Sequence, residues 1–111
     1  MQCLLLALTD EASWLKLDDI EKKQIANEFG EYVEALKSAG VFVASYRPQP
    51  SSTARTVRIS DGKIEVRGGL NVATNEPLTG LYVINVPDMD AAIMWAGRSP
   101  AARMGAVELR P

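Results

Sequence analysis

The side chains available for chemistry in this sequence are arginines, hydroxyls and acids. The chain of 111 residues has no histidine and a single cysteine, Cys3, so a histidine base and the common zinc sites are absent. Arginine binds a carboxylate or a phosphate through a planar pair of donors. Four arginines are candidates to converge on such an anion: Arg47, Arg55, Arg98 and Arg103. The alternative is scattered surface charge, which we favour because charge bias usually reflects solvent exposure.

A second set of side chains combines polar and aromatic groups that could line a small cleft between a sheet and a loop. Its members are Ser45, Tyr46, Asn71, Thr74, Tyr82 and Trp95. Ordinary sheet packing with hydroxyls at the rim is the alternative. From both sets we select six residues as the predicted ligand-binding residues: Arg47, Asn71, Tyr82, Trp95, Arg98 and Arg103.

Catalytic and metal-binding patterns are weak. Glu76 is the acid that the predicted elements explain least, so it is the candidate if catalysis occurs, whereas Asp88 is placed to cap a helix. No group of carboxylates has metal-ligand spacing. Gly68-Gly69 lacks the following lysine and hydroxyl residue of a phosphate-binding loop. We therefore expect no metal and no cofactor.

Composition predicts one globular domain over residues 1–111, because 47% of the residues are hydrophobic and 23% are charged. A net charge of −2 argues against a nucleic-acid partner. The apolar run Cys3–Leu8 is too short to cross a membrane and lacks the basic flank of a signal peptide. A lone cysteine suits a reducing compartment, so the predicted location is the cytoplasm.

Strands and helices alternate along the chain. The predicted strands are Gln2–Leu8, Val41–Tyr46, Leu81–Val86 and Ala106–Arg110. One long helix begins at Asp18, with Glu21 completing a capping box, and ends before Gly40. A second helix is capped by Asp88 and ends near Gly97.

The remaining segments are predicted as a hairpin, loops and turns. Asp61-Gly62 marks the hairpin turn, and we expect the hairpin to be half-exposed, with one side formed by Val57, Ile59, Ile64 and Val66. Residues 68–77 form a loop and residues 101–105 a short turn. Trp14 lies in an irregular segment, either as a lid over a pocket or, more commonly, as a plug over the core.

This order, β-α-β, hairpin, β-α-β, predicts a ferredoxin-like α+β fold with an antiparallel sheet and both helices on one face. The apolar strands near residues 2–8 and 81–86 indicate that the other face is also covered. A second copy placed sheet to sheet is the simplest cover, so we expect a homodimer.

The sequence resembles the YCII-related family and, within it, the DGPF-domain branch. The matching segments are spread over nearly the whole chain: Leu4-Leu5-Leu6, Asp10-Glu11-Ala12 with Trp14, Leu36–Gly40, Pro48, Thr53–Arg58, Asp61-Gly62-Lys63, Gly80–Ile84, Val86–Ala92, Trp95-Ala96, Pro100–Arg103 and Val107–Pro111. The resemblance implies a dimeric α+β barrel. It implies little about activity, since most members of the branch have no established one.

Two departures from the family pattern limit what the resemblance implies about chemistry. The Asp-Gly-Pro-Phe motif falls at residues 68–71, where this chain has Gly68-Gly69-Leu70-Asn71 and keeps only Gly69. Family members that resemble dehydrochlorinases use a His-Asp pair, and those positions fall near Phe29 and Ser99. That acid–base chemistry should not be transferred.

The resulting hypothesis is a homodimeric module that binds a small anionic or aromatic molecule without histidine-based catalysis. One alternative is a small cytoplasmic enzyme with a cleft between sheet and helices. The other is a regulatory protein–protein interaction module.

Overall fold

The chain forms a four-stranded sheet and, separate from it, a two-stranded hairpin. The structure is a computed structural model that describes all residues from Met1 to Pro111. The strands are β1 (Gln2–Thr9), β2 (Phe42–Tyr46), β3 (Arg55–Ser60), β4 (Lys63–Gly68), β5 (Leu78–Asn85) and β6 (Gly105–Arg110). The helices are α1 (Glu11–Leu15), α2 (Asp19–Ser38), α3 (Met89–Arg98) and α4 (Pro100–Met104), with a 3₁₀ turn at Ser51–Thr53.

The sheet has the strand order β2-β5-β1-β6, and every neighbouring pair is antiparallel. This order is that of a split β-α-β fold with a hairpin inserted between its second and third strands. The predicted mixed α+β, ferredoxin-like fold is therefore confirmed. The single chain does not close into a barrel.

The core lies between one face of the sheet and the helices α2 and α3. Alternate residues of β1 and β5 point to this side, because side chains alternate along a strand. The buried cluster joins them to both helices: Cys3, Leu5, Tyr82, Ile84 and Val86 pack with Tyr32, Leu36, Ala92, Trp95 and Ala96. Both long helices thus cover the same sheet face, as the sequence predicts.

Helix boundaries follow the predicted caps. Asp18 accepts a hydrogen bond from the Glu21 backbone N–H at 2.8 Å, and the Glu21 side chain returns to the Asp18 N–H, which completes the capping box. Asp88 accepts from the Ala91 N–H at 2.9 Å at the start of α3. Gly40 has a φ of +73°, as expected of a glycine that ends a helix.

Two short segments were predicted wrongly. Residues 11–15, expected to be irregular around Trp14, form α1, which is capped by the Asp10 carboxylate. Residues 101–105 were expected to be a short turn, whereas Pro100–Met104 form α4, which is capped by the Ser99 hydroxyl. Each helix has only five residues, too few to show a hydrophobic period in the sequence.

The hairpin is formed as predicted but is more exposed than expected. Asp61 and Gly62 have φ values of +47° and +74°, which define the two-residue turn. The prediction that the hairpin is half-exposed is wrong for the single chain, because every residue of β4 is exposed and β3 has only one that is not. The hairpin leaves the sheet and makes no contact with the buried cluster.

The second face of the sheet carries no helix. Leu4, Leu6 and Leu8 of β1 lie on this outer face beside Leu81 and Val83 of β5. These side chains are partly or well exposed. The outer face is thus apolar and open.

Candidate functional site

A cleft of about 430 Å³ opens between the inner face of the sheet, the helices α1 and α2, and the loop that follows β2. This volume is in the range of small-molecule sites. Its sheet side is formed by Ala7, Thr9, Ser45, Tyr46, Leu78, Thr79, Gly80 and Tyr82, and its other sides by Glu11, Trp14, Leu15, Phe29, Gly30, Val33, Arg47, Pro48, Gln49, Pro50 and Met104.

The α2 wall of the cleft is apolar and has a gap in its middle. Phe29 and Val33 belong to the apolar stripe of α2 and lie on either side of Gly30 along this wall. Apart from its chain neighbours and the backbone of its own helix, a Cβ atom at Gly30 would have no atom within 4 Å. The missing side chain therefore adds free space to the cleft.

Arg47 supplies the positive charge of the cleft. Its guanidinium carbon lies 5.3 Å from the centre of the Trp14 ring, which is a cation–π distance. No carboxylate lies within ion-pair distance of Arg47. The indole holds the guanidinium without neutralising it, so its charge remains available to an anion.

The loop that carries Arg47 is tied to α1 by one carboxylate. Glu11 accepts a hydrogen bond from the Ser51 N–H at 2.9 Å through one oxygen and from the Ser51 hydroxyl through the other. Pro48 and Pro50 stiffen the segment between Arg47 and this anchor. Both oxygens of Glu11 are therefore occupied by the loop.

Tyr82 forms the inner end of the cleft. Its ring packs edge-on against Tyr32, with 5.5 Å between the ring centres. Burial raises the pKa of the Tyr82 hydroxyl above its usual value, and the charge of Arg47 opposes part of that rise. The hydroxyl stays protonated at neutral pH and can donate a hydrogen bond.

Two further hydroxyls, those of Thr9 and Thr79, lie where β1 ends and β5 begins. The hydroxyl oxygens of Thr9 and Thr79 are 2.6 Å apart, and that of Thr79 also donates to the Ala7 carbonyl at 3.4 Å. Together with Tyr82 and Arg47, they give the cleft hydrogen-bonding groups along an otherwise apolar wall. Such a set can hold a polar group of a ligand and leave its apolar part against Phe29 and Val33.

The structure places the six predicted ligand-binding residues in separate regions. Arg47 and Tyr82 line the cleft. Trp95 is buried in the core, where Arg98 stacks on its ring at 4.4 Å. Arg103 forms an ion pair with Glu28 on α2.

Asn71 lies near the hairpin and away from the cleft. Its side-chain oxygen accepts from Arg58 at 2.6 Å, and its carbonyl accepts from Arg67 at 3.0 Å. Thr74 belongs to the same loop, where its hydroxyl accepts from the Glu76 N–H at 3.1 Å. Glu76, the candidate for catalysis, is exposed and does not line the cleft.

The four arginines considered as an anion site do not converge. Only Arg47 reaches the cleft, and Arg55 donates to the Thr53 and Ala54 carbonyls beside it. At the two positions of the His-Asp pair, Phe29 lines the cleft, whereas Ser99 is buried at the junction of α3 and α4. The chain therefore has an apolar wall and a helix cap at those positions.

Several cleft residues could not be selected from the sequence. Trp14 was left open between a lid and a plug, and the structure places it on the cleft wall under Arg47. Thr9, Glu11 and Thr79 were not considered. The Asp10 cap before Trp14 was the one available signal that this segment is ordered.

In a comparison with protein families, the model of the YCII-related domain matches residues 1–111. The chain belongs to the YCII-related family. Comparison with curated proteins gives no significant match. None of the helices in this YCII-related chain has the length and apolar character needed to cross a bilayer.

Proposed function

We propose that this YCII-related protein binds a small molecule with an apolar, preferably aromatic, body and an anionic group. The observation that supports the proposal is Arg47, an arginine without an acidic partner, held on Trp14 at the edge of an apolar cleft. An anion that pairs with it would exchange water for a charge-assisted hydrogen bond. The aromatic body would lie along Phe29 and Val33.

Binding is better supported than catalysis by the groups that line the cleft. Its one carboxylate, Glu11, has both oxygens engaged by Ser51. Tyr82 is held in its neutral form by burial. These groups can orient a ligand, but none is arranged as a free base beside a nucleophile.

Gly30 permits a test that separates ligand binding from folding. Gly30→Leu fills the cleft from the α2 wall, and leucine is a better helix former than glycine. Gly97→Leu is the matched control, since Gly97 is also helical, also has free space around it and lies outside the cleft. Arg47→Gln removes the charge, and Arg55→Gln is its control.

The probes are 1-naphthoate and its uncharged analogue 1-naphthylmethanol, and their binding is followed by thermal shift and calorimetry. At tenfold excess over its Kd, a ligand stabilises the fold by about 1.4 kcal/mol, which is about 6 °C for a chain of this size. We expect 1-naphthoate to bind the natural chain and both controls. Arg47→Gln should weaken its binding at least about tenfold and Gly30→Leu should abolish it. No binding to the natural chain, or binding unchanged in Gly30→Leu, would refute the proposal.

We also propose that two copies pair through the outer faces of their sheets. The open leucines Leu4, Leu6 and Leu8, with Leu81 and Val83 beside them, support this pairing, since soluble proteins rarely leave such a face to water. We place the protein in the cytoplasm, in keeping with its single free thiol at the buried Cys3.

Within the family, we propose a place in the DGPF branch, with a degenerate motif at residues 68–71 of which the chain keeps Gly69. Gly69, the residue that the chain keeps, has a φ of +91°, a conformation that favours glycine. Its N–H donates to the Ala54 carbonyl at 2.8 Å and its own carbonyl accepts from the Thr56 hydroxyl at 2.9 Å. The retained glycine thus shapes the base of the hairpin.

A further inference from the structure

The hairpin carries an aliphatic face that nothing in the chain covers. Val57 lies opposite Val66 and Ile59 opposite Ile64, so the four side chains form one patch on the same side. Their exposed fractions are 60%, 63%, 69% and 71%. The other side of the hairpin carries Arg58, Glu65 and Arg67, which suit water. The hairpin is therefore amphipathic, and its apolar side is unpartnered.

A two-stranded hairpin of this kind is marginal in water unless its apolar face packs on something. The four β-branched side chains expose on the order of 450 Å² of apolar surface, as much as the largest patch of a typical monomer. They are also the residue types that favour a packed strand surface. The pattern predicts a packing partner that the chain itself does not provide.

The dimensions of the isolated chain also indicate a missing packing partner. Its accessible surface is 7386 Å² for a mass of 12.1 kDa, whereas a folded monomer of that mass exposes about 6,000 Å². Its radius of gyration is 15.9 Å, against about 13 Å for a compact domain of this length. The isolated chain thus exposes more surface than a compact monomer of the same mass.

We propose that each hairpin packs its aliphatic face on the outer sheet face of a second copy of this chain. The inference rests on the proposed pairing of two copies and adds the element that holds them together. Both unpartnered apolar surfaces, the hairpin face and the outer sheet face, belong to the same chain. One two-fold operation therefore covers both on both copies at once, as an isologous interface requires.

The area that this arrangement buries fits a stable dimer. Two hairpin faces and the two surfaces that receive them amount to roughly 1,800 Å², within the range of specific protein interfaces. Glu108 and Arg110 lie at the edge of the outer face, opposite Leu6 and Leu4 of β1, and would form part of the polar rim. An unrelated partner on the hairpin would account for the hairpin face alone, whereas a second copy accounts for both the hairpin face and the outer sheet face.

Sedimentation analysis of hairpin variants tests the inference without disturbing the fold. Ile59→Lys places a charge in the patch, and Glu65→Lys places the same residue on the opposite side of the same hairpin. Neither position contacts the buried cluster, so circular dichroism should report an intact fold for both. The two-fold axis makes each substitution act twice, so Ile59→Lys should raise the dimer Kd on the order of a hundredfold or more, and Glu65→Lys should leave it nearly unchanged.

The possible outcomes test the hairpin contact separately from the pairing of two copies. A natural chain that stays monomeric at micromolar concentration would overturn both the pairing and the hairpin contact. A dimer whose Kd is unchanged by Ile59→Lys would overturn the hairpin contact alone. A cycle of Ile59→Ala and Leu6→Ala tests the receiving surface: non-additive effects on the Kd support it, and strictly additive effects overturn its assignment to the outer sheet face.

Discussion

Tyr32 joins the two long helices through one buried hydrogen bond. The loss of stability on removing this hydrogen bond can be calculated. The Tyr32 hydroxyl donates to the Trp95 carbonyl at 2.7 Å. Trp95 is in the last turn of α3, where helix carbonyls lack a partner within the helix. Tyr32→Phe keeps the ring and its edge-on contacts with Tyr82 and Trp95 but leaves this carbonyl without its donor.

We expect Tyr32→Phe to lower the free energy of unfolding by about 1–2 kcal/mol, the net value of a buried hydrogen bond plus part of the desolvation of its acceptor. For a chain of this length, that corresponds to a fall in Tm of about 4–9 °C. Urea unfolding followed by circular dichroism measures the change. Tyr46→Phe is the control, because Tyr46 is 65% exposed and should change stability by less than about 0.5 kcal/mol.

The same tyrosine makes stability depend on alkaline pH. Burial raises the pKa of Tyr32 well above its ordinary value, and burial also raises that of Tyr82. The unfolded state therefore loses these protons first, at about pH 10. Their contribution to stability is complete below that pH and is lost as the pH rises toward the higher folded pKa values.

Stability should therefore fall as the pH rises above about 10, and it should fall less steeply in Tyr32→Phe. Unfolding free energies at several pH values in this range provide the measurement. A variant that equals the natural chain in stability and in pH slope would refute the role assigned to the Tyr32–Trp95 hydrogen bond.

The remaining predictions concern one helix cap and two glycines. Asp18→Ala should destabilise the protein by about 1 kcal/mol because it breaks the capping box with Glu21. Asp18→Asn should keep most of that stability in urea titrations. Equal losses of stability in the two variants would contradict the role of Asp18 as a cap. Gly105→Ala should cost more than about 2 kcal/mol, since a Cβ there would overlap the Leu8 carbonyl oxygen. At Gly97 there is space for a Cβ atom, so Gly97→Ala should be neutral or stabilising by up to about 1 kcal/mol in thermal unfolding. Similar losses of stability at both glycines would refute the steric argument.

The long elements of this fold were accessible from sequence because their signals are local. The capping box at Asp18 and the Asp61-Gly62 turn each fix an element within a few residues. The helices α1 and α4 were missed for the opposite reason, since five residues contain too few positions to show a period. Their caps, Asp10 and Ser99, were readable, but a cap without a following apolar stripe is equally typical of a turn.

The cleft was only partly accessible because its contacts are not local. Trp14 and Arg47 belong to elements far apart in the chain, and only the folded sheet brings them together. The sequence identified Arg47 and Tyr82 by residue type, but type alone could not separate them from Arg98 or Arg103. Those two arginines have partners, an indole ring and the Glu28 carboxylate, that no spacing rule predicts.

The hairpin is the place where sequence pattern and single-chain structure disagree, and the disagreement carries information. Alternation of Val57 and Ile59 with polar residues is a pattern of half-buried strands, and it predicts a covered face. The isolated chain leaves that face in water. A sequence under no demand for burial would not need four β-branched aliphatic residues on one side of an exposed ribbon, since charged residues protect such an edge better. The proposed pairing of two copies would satisfy the pattern, and the flat, open shape of the chain, with extents of 48 × 38 × 17 Å, is compatible with it.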